Sequence, residues 1–288
     1  MKRLASLAVI AVAAALSVAP AHADYGSGGS SGSAPSFGEV APSNYQSSQW
    51  FALEIKFGPY SPNIDASPGL NGKTPFKDLF PADPGKSRPP GRLLTQVEFD
   101  VQILRRWYGN FGIGHSVGYY RRTTHSFAYD NTMGMASCGQ PGTSACTRSG
   151  DTTALNVVPL SIMGVYRFDL LAHRWKIPFV PYFKIGIAYY MWWIENGGGF
   201  LSIANYTPPG GKSESGFGGT WGWVMNPGGA FLLDVLDPSA ARTIDAELGI
   251  NHSYIFCELH YADITGFGAA NKMNLSDVTL NAGLAFEF

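Results

Sequence analysis

The segment DVTLNAGLAFEF, residues 277–288, alternates apolar and polar side chains almost from end to end. Its apolar side carries Leu280, Leu284, Phe286 and Phe288, and the opposite side carries Thr279, Asn281, Gly283 and Glu287. A period of two predicts a β-strand with one apolar face. The pattern alone does not separate a membrane strand from a strand of a soluble sandwich, whose apolar face points inward.

Eight segments of this kind, counting the last, are separated by turn-rich stretches along the chain. The clearest are WFALEIKFG (50–58), LLTQVEFDVQILRRW (93–107), IPFVPYFKIGIAYYMWW (177–193) and RTIDAELGINHSYIF (242–256). Their polar faces carry charges that would line a barrel lumen, where they would need one another, water, or an arginine such as Arg105 or Arg167. The predicted lumen network comprises Glu54, Lys56, Glu98, Asp100, Lys184, Asp245, Glu247 and Glu287.

Segment length and aromatic placement favour a membrane barrel. The segments run roughly 9 to 20 residues, longer than the ~5 to 6 residues of ordinary strands but suited to a tilted strand that crosses a bilayer. Tryptophan, tyrosine and phenylalanine gather near the segment ends, as the interfacial girdles of outer-membrane barrels do. Examples are Trp50, Trp107, Tyr108, Tyr166, Trp192, Trp193, Trp221, Trp223 and Phe288.

The connections alternate in length, which indicates the topology. Long or medium connections, at about 60–91, 123–151, 195–219 and 261–274, alternate with short ones near 108–110, 170–175 and 235–240. This rhythm predicts an all-β fold, a transmembrane up-and-down antiparallel β-barrel of about eight strands. An even strand number puts both termini on one side, predicted to be the periplasm, so that the four longer loops face outward. Pro159 and Pro181 fit their strands poorly, and the register of strands three and four stays open.

The N-terminus predicts export. Residues 1–23 combine Lys2 and Arg3, an apolar run and an Ala-His-Ala end, the pattern of a cleaved secretory signal peptide. Residues 24–48 are rich in Gly, Ser and Pro and are interpreted as a flexible leader, with the barrel over 49–288. Without Lys2 and Arg3 the chain has 20 − 2 = 18 basic and 21 acidic residues, a net charge of −3. That balance gives no support for nucleic-acid binding.

The last eight residues, NAGLAFEF, resemble the terminal assembly signal of bacterial outer-membrane β-barrels. Asn281, Gly283, Phe286 and Phe288 occupy its polar, glycine and aromatic places. More loosely, KFGPYSPNID, GVYRFD, PYFKIGIAYYMWW and LDPSAARTIDAELGINHSYIF are similar to an uncharacterised myxobacterial outer-membrane β-barrel family, over most of residues 50–288. The resemblance implies the outer membrane of a Gram-negative bacterium and the barrel-assembly machinery as a partner during biogenesis. It implies no activity.

Two kinds of residue pair are candidates for a catalytic site, carboxylate pairs in the lumen and neighbouring His–Ser pairs. Paired lumen carboxylates are more commonly structural ion pairs than a glycosidase dyad. His115 with Ser116, His125 with Ser126 and His252 with Ser253 are adjacent on predicted strands, so the two side chains of each pair point to opposite faces and none is a working pair by itself. A strand-borne His, a Ser and an acid from different strands could still converge, and a lipid-modifying or hydrolytic enzyme remains an alternative.

No cofactor or metal motif is found in the sequence. GGKS at 210–213 lacks the upstream glycine and the strand-to-helix setting of a phosphate loop, and Asp65, Asp78 and Asp83 lack the spacing of a calcium loop. Cys138 and Cys146 bracket a polar stretch and are candidates for a disulfide, which an oxidising compartment permits. Cys257 lies in an apolar strand and is expected to be a buried thiol.

A barrel of about eight strands has a lumen filled by side chains, which argues against a general diffusion pore. The sequence therefore favours a structural or surface-interaction role through the long loops. The predicted partners are outer-membrane lipid, lipopolysaccharide and a surface partner of unspecified kind. A narrow channel for small solutes, with a lateral gap beside the proline-bearing strands, is the other alternative.

Overall fold

The computed structural model describes residues 50–80, 88–106, 109–127, 148–175, 177–203 and 215–288. Within them, eight antiparallel strands form one closed barrel in which every strand pairs with its neighbours in sequence. The predicted all-β fold, an up-and-down antiparallel barrel of eight strands, is therefore confirmed. The signal peptide (1–23), the leader (24–48) and the disulfide candidates Cys138 and Cys146 lie outside the described residues.

The strands are connected up and down. They are β1 Phe51–Tyr60, β2 Arg92–Arg106, β3 Gly109–Phe127, β4 Arg148–Arg167, β5 Phe179–Glu195, β6 Phe217–Leu232, β7 His252–Asp263 and β8 Asp277–Glu287. In the described parts of the connections there are three helices: α1 Pro75–Leu79, α2 Leu170–Trp175 and α3 Pro238–Leu248. Two 3₁₀ turns, Ile64–Ala66 and Leu233–Val235, accompany α1 and α3. Among the described residues, no helix is both long and apolar enough to cross a membrane.

The connections divide the barrel into two unlike ends. Residues 61–91, 128–147, 196–216 and 264–276 join strands at one end, called here the long-loop end. Residues 107–108, 168–178 and 233–251 join strands at the other, the short-turn end, where β1 also begins and β8 ends. The long and short alternation holds except at 233–251, a connection of helical structure where a tight turn had been predicted.

The closing seam joins the first strand to the last. β1 and β8 pair from Ala52 with Glu287 to Phe57 with Ala282. At the short-turn end the Trp50 and Phe288 N–H groups each donate across the seam, to Phe288 O and Phe51 O, both at 2.9 Å. The pairing closes the circle, so neither strand leaves an unpaired sheet edge along this seam.

The barrel is polar inside and apolar outside. Lys184 is 0% exposed, whereas its outward neighbours Phe183 and Ile185 are 38% and 48% exposed. Glu98 is likewise fully buried, and Leu284 on β8 is 44% exposed. Alternation places charges in the lumen and hydrocarbon on the outer surface, the reverse of a soluble sandwich.

The predicted seventh strand was wrong in its first half. Residues 238–248 form helix α3, so Asp245 and Glu247 do not lie in the lumen; Asp245 is half-buried and Glu247 is exposed. The segment forms a helix because residues at both of its ends stabilise helix termini. Asp237 caps the N-terminus by accepting from the Ser239 and Ala240 N–H groups, and Gly249 ends the helix in the left-handed conformation at φ 69°. The Ser239 hydroxyl and these N–H groups stabilise the ionised form and lower the Asp237 pKa.

The strand that follows has the inverse of the predicted register. In the alternation of segment 242–256, Tyr254 falls on the apolar side with Ile244, Leu248 and Ile250, which predicts an outward position. It is instead buried in the lumen, and so is Glu258. Cys257, expected to be a buried thiol, is exposed on the outer surface. The reason is that β7 begins only at His252, and Ile255, Cys257 and Leu259 form its outward face.

Candidate functional site

A layer of ion pairs crosses the middle of the lumen. Lys184 on β5 donates from Nζ to Glu54 and Glu98, at 2.5 Å each, and thus joins β5 to β1 and β2. Lys56 donates to Glu98 at 2.6 Å and to Glu258 on β7 at 2.9 Å. Both ammonium groups are buried, with side-chain exposures of 0% and 1%.

Arg167 extends this layer toward the short-turn end. Its Nη2 donates to Glu54 at 2.6 Å and to Asp100 at 2.7 Å, and its Nη1 donates to Glu287 at 2.8 Å. A guanidinium suits this position because it directs several N–H groups in fixed directions. We call the whole set the ionic layer: Glu54, Lys56, Glu98, Asp100, Arg167, Lys184, Glu258 and Glu287.

The ionic layer contains six of the eight residues predicted for the lumen network. Arg167, one of the two arginines suggested as partners, is present, and the side chain of Arg105 lies outside the described atoms. Glu258 was missed because the predicted seventh segment ended at Phe256. The alternation of Ile255, Cys257 and Leu259 around it was the signal that could have found it.

Neutral donors complete the layer. Tyr254 donates its hydroxyl to Glu287 at 2.9 Å, Tyr182 donates to Glu258 at 3.2 Å and the Gln102 amide donates to Glu287 at 3.3 Å. Carboxylate oxygens of Glu54, Glu98 and Asp100 lie within 4.8 Å of one another, a spacing that could hold a cation. The Lys184 ammonium already bonds two of these carboxylates, and Arg167 bonds Asp100, so protein cations take the place a metal would occupy.

The long-loop side of the layer is closed by aromatic side chains. Tyr60, Tyr120 and Tyr190 are buried, with ring centroids 4.9 Å apart for Tyr60 and Tyr120 and 6.3 Å apart for Tyr60 and Tyr190. The Tyr60 hydroxyl donates to Leu275 O at 2.8 Å, which ties the rings to the β7–β8 loop. These rings belong to a larger apolar cluster that fills this part of the lumen.

The first loop covers this cluster. Phe76 and Phe80, both 4% exposed, pack over the lumen beside Arg122, whose guanidinium lies 4.8 Å from the Phe80 ring centroid. Arg122 also donates to Pro90 O at 2.6 Å, and the Phe76 N–H donates to Asp65 at 2.7 Å. The loop is therefore fastened to the barrel by apolar and polar contacts together.

Replacing Phe76 by Ala is expected to detach this cover. Removing a buried phenyl group costs ~3 to 5 kcal/mol of local packing, so residues 61–80 should become sensitive to protease while the strands stay protected. Limited proteolysis followed by mass spectrometry measures this. Lys77→Ala, on the exposed side of α1, is the matched control. Equal protease resistance of the two variants would contradict the role given to Phe76.

A second apolar cluster narrows the lumen near the short-turn end. Val180, Tyr182, Ala230, Tyr254, Phe256 and Ala285 pack together there. The cavity that remains between this cluster, Arg167 and Glu287 has a volume of about 10 Å³, room for roughly one water molecule. The described lumen is thus filled at three levels, by aromatic rings, ion pairs and a smaller apolar cluster.

The three His–Ser pairs do not assemble a nucleophile with its base. His115 is exposed on the outer face, whereas Ser116 turns inward to bond Ser161 at 2.6 Å. His252 bonds Asp234 at 2.6 Å, but Ser253 contributes only its backbone N–H to that carboxylate. The hydroxyl of Ser126 donates to the backbone of Asp151.

The remaining candidates lie at or beyond the long-loop end. Asp65 accepts the Phe76 and Lys77 N–H groups, and Asp78 accepts from Thr74, so both acids serve the first loop. Asp83 and the stretch 210–213 lie outside the described residues. A groove of about 330 Å³ at this end is lined by Ser126, Asp151, Thr152, Thr153, Asn196, Gly197, Gly198 and Ser202.

The chain is similar in fold to solved outer-membrane barrels. OprG of Pseudomonas aeruginosa is 11% identical with a TM-score of 0.42, over 83% of this chain and 96% of that one. Neisserial surface protein A is 11% identical with a TM-score of 0.39, over 83% and 97%. Ail of Yersinia pestis, in complex with the heparin analogue sucrose octasulfate, is 9% identical with a TM-score of 0.35, over 83% and 96%. No family model and no curated protein matches.

Proposed function

We propose that this chain is an outer-membrane β-barrel of a Gram-negative bacterium that works as a closed scaffold for surface loops. The observation that carries the proposal is the reversed polarity of the barrel. An ionic layer is buried in the lumen while isoleucine, leucine and phenylalanine cover the outside. Apolar surface of this extent is stable where hydrocarbon covers it.

Aromatic pairs at two levels of the outer surface support a bilayer position. Near the long-loop end Tyr189 packs on Trp221 with ring centroids 4.7 Å apart. Near the short-turn end Phe111 packs on Tyr166 at 4.6 Å. Membrane barrels place aromatic girdles at both edges of an apolar band ~25 Å tall. The band of this barrel would lie between the two levels.

The unequal lengths of the loops support one orientation in the membrane. Outer-membrane barrels have short periplasmic turns and longer extracellular loops. The long-loop end therefore faces the cell exterior, and the start of β1 and the end of β8 face the periplasm. Lipopolysaccharide and outer-membrane lipid would surround the barrel, and the loops would contact the surface partner. The barrel-assembly machinery would act on the β8 end during biogenesis.

Two measurements test the membrane placement. The protein should fractionate with outer membranes, and its folded form should migrate faster in SDS gels than the boiled form because a closed barrel resists SDS until heated. A soluble fraction with unchanged mobility after boiling would overturn the proposal.

The filled lumen predicts no steady conduction. Vesicles that contain the purified protein should swell in arabinose no faster than empty vesicles, because the ionic layer and both apolar clusters block the axis. A general porin reconstituted in the same lipid is the positive control. Swelling at the porin rate would show an open path and contradict the closed scaffold.

One observation favours the small-solute alternative. The pairing of β3 with β4 is interrupted near Pro159, between Val117–Leu160 and Tyr120–Val157. The pairing of β6 with β7 is interrupted near Pro227, between Met225–Tyr261 and Gly228–Glu258. Proline lacks the N–H that a ladder needs, so these seams are the places where a lateral gap would open.

The interior beside the second seam is filled. His260 bonds Asn226 at 2.9 Å and Tyr190 at 3.2 Å, so a lateral route would require these contacts to break. A disulfide engineered across the seam, with Met225→Cys and Tyr261→Cys, distinguishes the closed scaffold from the small-solute channel. If the barrel is a closed scaffold, small-solute uptake should not change when the bridge forms. If it is a channel with a lateral gap, the bridge should abolish that uptake.

A further inference from the structure

Helix α3 carries an apolar stripe that the barrel does not cover. Ala240, Ile244 and Leu248 follow one another at intervals of four residues and therefore lie on one face. Ile244 is 36% exposed and Leu248 66% exposed, and Leu236, just before the helix, is 71% exposed. This stripe is apolar surface without a partner among the described residues.

The side of α3 toward the barrel is a different one. Asp245 is half-buried and interacts electrostatically with His252 at the start of β7. Successive helix residues are ~100° apart, so Ile244 points about a quarter turn away from Asp245, and Leu248 lies nearer to that side. Both Ile244 and Leu248 are nevertheless exposed, so the barrel does not cover the stripe.

The two strands that flank the connection also carry outward apolar residues close to it. The chain enters the connection just after Phe231 on β6 and returns before Ile255 on β7, two outward residues that pair across the strands. They are 37% and 51% exposed. In the connection between β4 and β5, Trp175 and Ile177 add exposed apolar surface at the same end.

We propose that α3 lies in the plane of the membrane interface, with its stripe against the acyl-chain boundary of the periplasmic leaflet. This inference rests on the proposed membrane placement. Helix α3 has 11 residues, far fewer than the ~20 needed to cross a bilayer, which suits a helix lying flat. Its end caps, Asp237 and Gly249, satisfy backbone groups at the two ends of the helix.

Lipid is favoured over an anionic-headgroup site or a protein partner. The helix carries one base, Arg242, against Asp245 and Glu247, so attraction to anionic headgroups does not supply the binding. The driving force is burial of the stripe, which needs only acyl chains. Phe231 and Ile255, exposed on the outer surface beside the connection, support acyl chains at this end of the barrel.

Depth-dependent fluorescence quenching tests the inference. In full-length protein with Cys138, Cys146 and Cys257 replaced by Ser, single cysteines are introduced as Leu248→Cys on the stripe, Arg242→Cys on the opposite side and Leu284→Cys on β8. Each is labelled with an environment-sensitive dye and reconstituted into phosphatidylcholine vesicles with or without brominated acyl chains. Heat-modifiable migration confirms folding of each variant before labelling.

The expected result is strong quenching at 284 and at 248, with quenching at 248 at least about twofold greater than at 242, as in-plane burial of one face requires. Quenching at 284 with equal weak quenching at 248 and 242 would overturn the inference and leave the membrane placement standing. No quenching at 284 would overturn both. A dye at 248 that escapes bromine yet is shielded from aqueous iodide would show that a second copy or another protein covers the stripe, which also overturns it.

Discussion

Lys184→Met should be among the most destabilising single substitutions in this barrel. The Nζ atom bonds Glu54 and Glu98, at 2.5 Å each, in a fully buried position. Methionine keeps most of the side-chain volume but carries no positive charge. Glu54 and Glu98 therefore each lose one cationic partner. Breaking a buried ion pair from one side costs ~3 to 5 kcal/mol, because the surviving charge stays buried. Urea unfolding in lipid vesicles, followed by tryptophan fluorescence, measures the change.

An exposed ion pair on the same barrel provides the matched control. Arg121 on β3 contacts Glu195 on β5 at 3.0 Å, with 49% of the Arg121 side chain exposed. Arg121→Gln should change stability by ~0 to 1 kcal/mol, because water screens the pair. If Lys184→Met were as mild as this control, the lumen would be hydrated and the ionic layer would not act as a seal.

A second substitution separates charge from packing. Adding Glu98→Gln to Lys184→Met removes one of the carboxylates left without its ammonium and should recover ~1 kcal/mol or more. Lys56 still contacts the residue at 98, so the double variant keeps a donor there. A double variant less stable than Lys184→Met alone would mean that Glu98 stabilises the barrel through Lys56 rather than Lys184.

For most strands, the sequence could predict which residues face the lumen, because alternation is a local property. Glu54, Lys56, Glu98, Asp100 and Lys184 each sit between outward apolar neighbours, so the sequence alone placed them in the lumen. Their partners could not be predicted in the same way. Lys184 is 130 residues from Glu54 and 86 from Glu98, and only the closure of the barrel brings them together.

Helix α3 shows where alternation misleads. Ile244 and Leu248 are four residues apart, a spacing compatible with one face of a strand and with one face of a helix. Asp237-Pro238 and Gly249 mark a helix start and stop, and they outweigh the alternation because each satisfies backbone groups that a strand would leave to a neighbour. The aromatic closure by Tyr60, Tyr120 and Tyr190 was also missed, since it depends on strand register.

Gly283→Ala is expected to prevent the barrel from closing. A Cβ built at Gly283 would lie 2.0 Å from Ile55 O and 2.9 Å from Lys56 Cα. Both atoms belong to the backbone of β1, so no side-chain rotation relieves the clash, and the β1–β8 seam must shift. Overpacking destabilises a protein by ~1 to 3 kcal/mol where the neighbouring side chains can move. The neighbours here are backbone atoms of a paired strand, so the destabilisation should be at or above that range. Refolding from urea into vesicles, scored by heat-modifiable migration, should fall sharply.

The control for Gly283→Ala is Gly164→Ala on β4, where the nearest atom to the added Cβ is Ile185 O at 3.8 Å. This variant should refold as the parent does. Equal refolding of the two alanine variants would contradict the tight approach of β8 to β1.

Phe288→Ser separates the steric role of the last strand from its proposed role as an assembly signal. The Phe288 backbone pairs with Phe51 and Trp50, and serine keeps those bonds while removing the aromatic ring. Refolding into vesicles, which needs no assembly machinery, should therefore be nearly unchanged, whereas assembly in cells should fall if the ring is recognised. Gly283→Ala should fail in both settings, because its defect lies in the seam itself. Normal assembly of Phe288→Ser in cells would mean that the last strand serves only to close the barrel. The terminal sequence pattern would then no longer support the outer-membrane proposal.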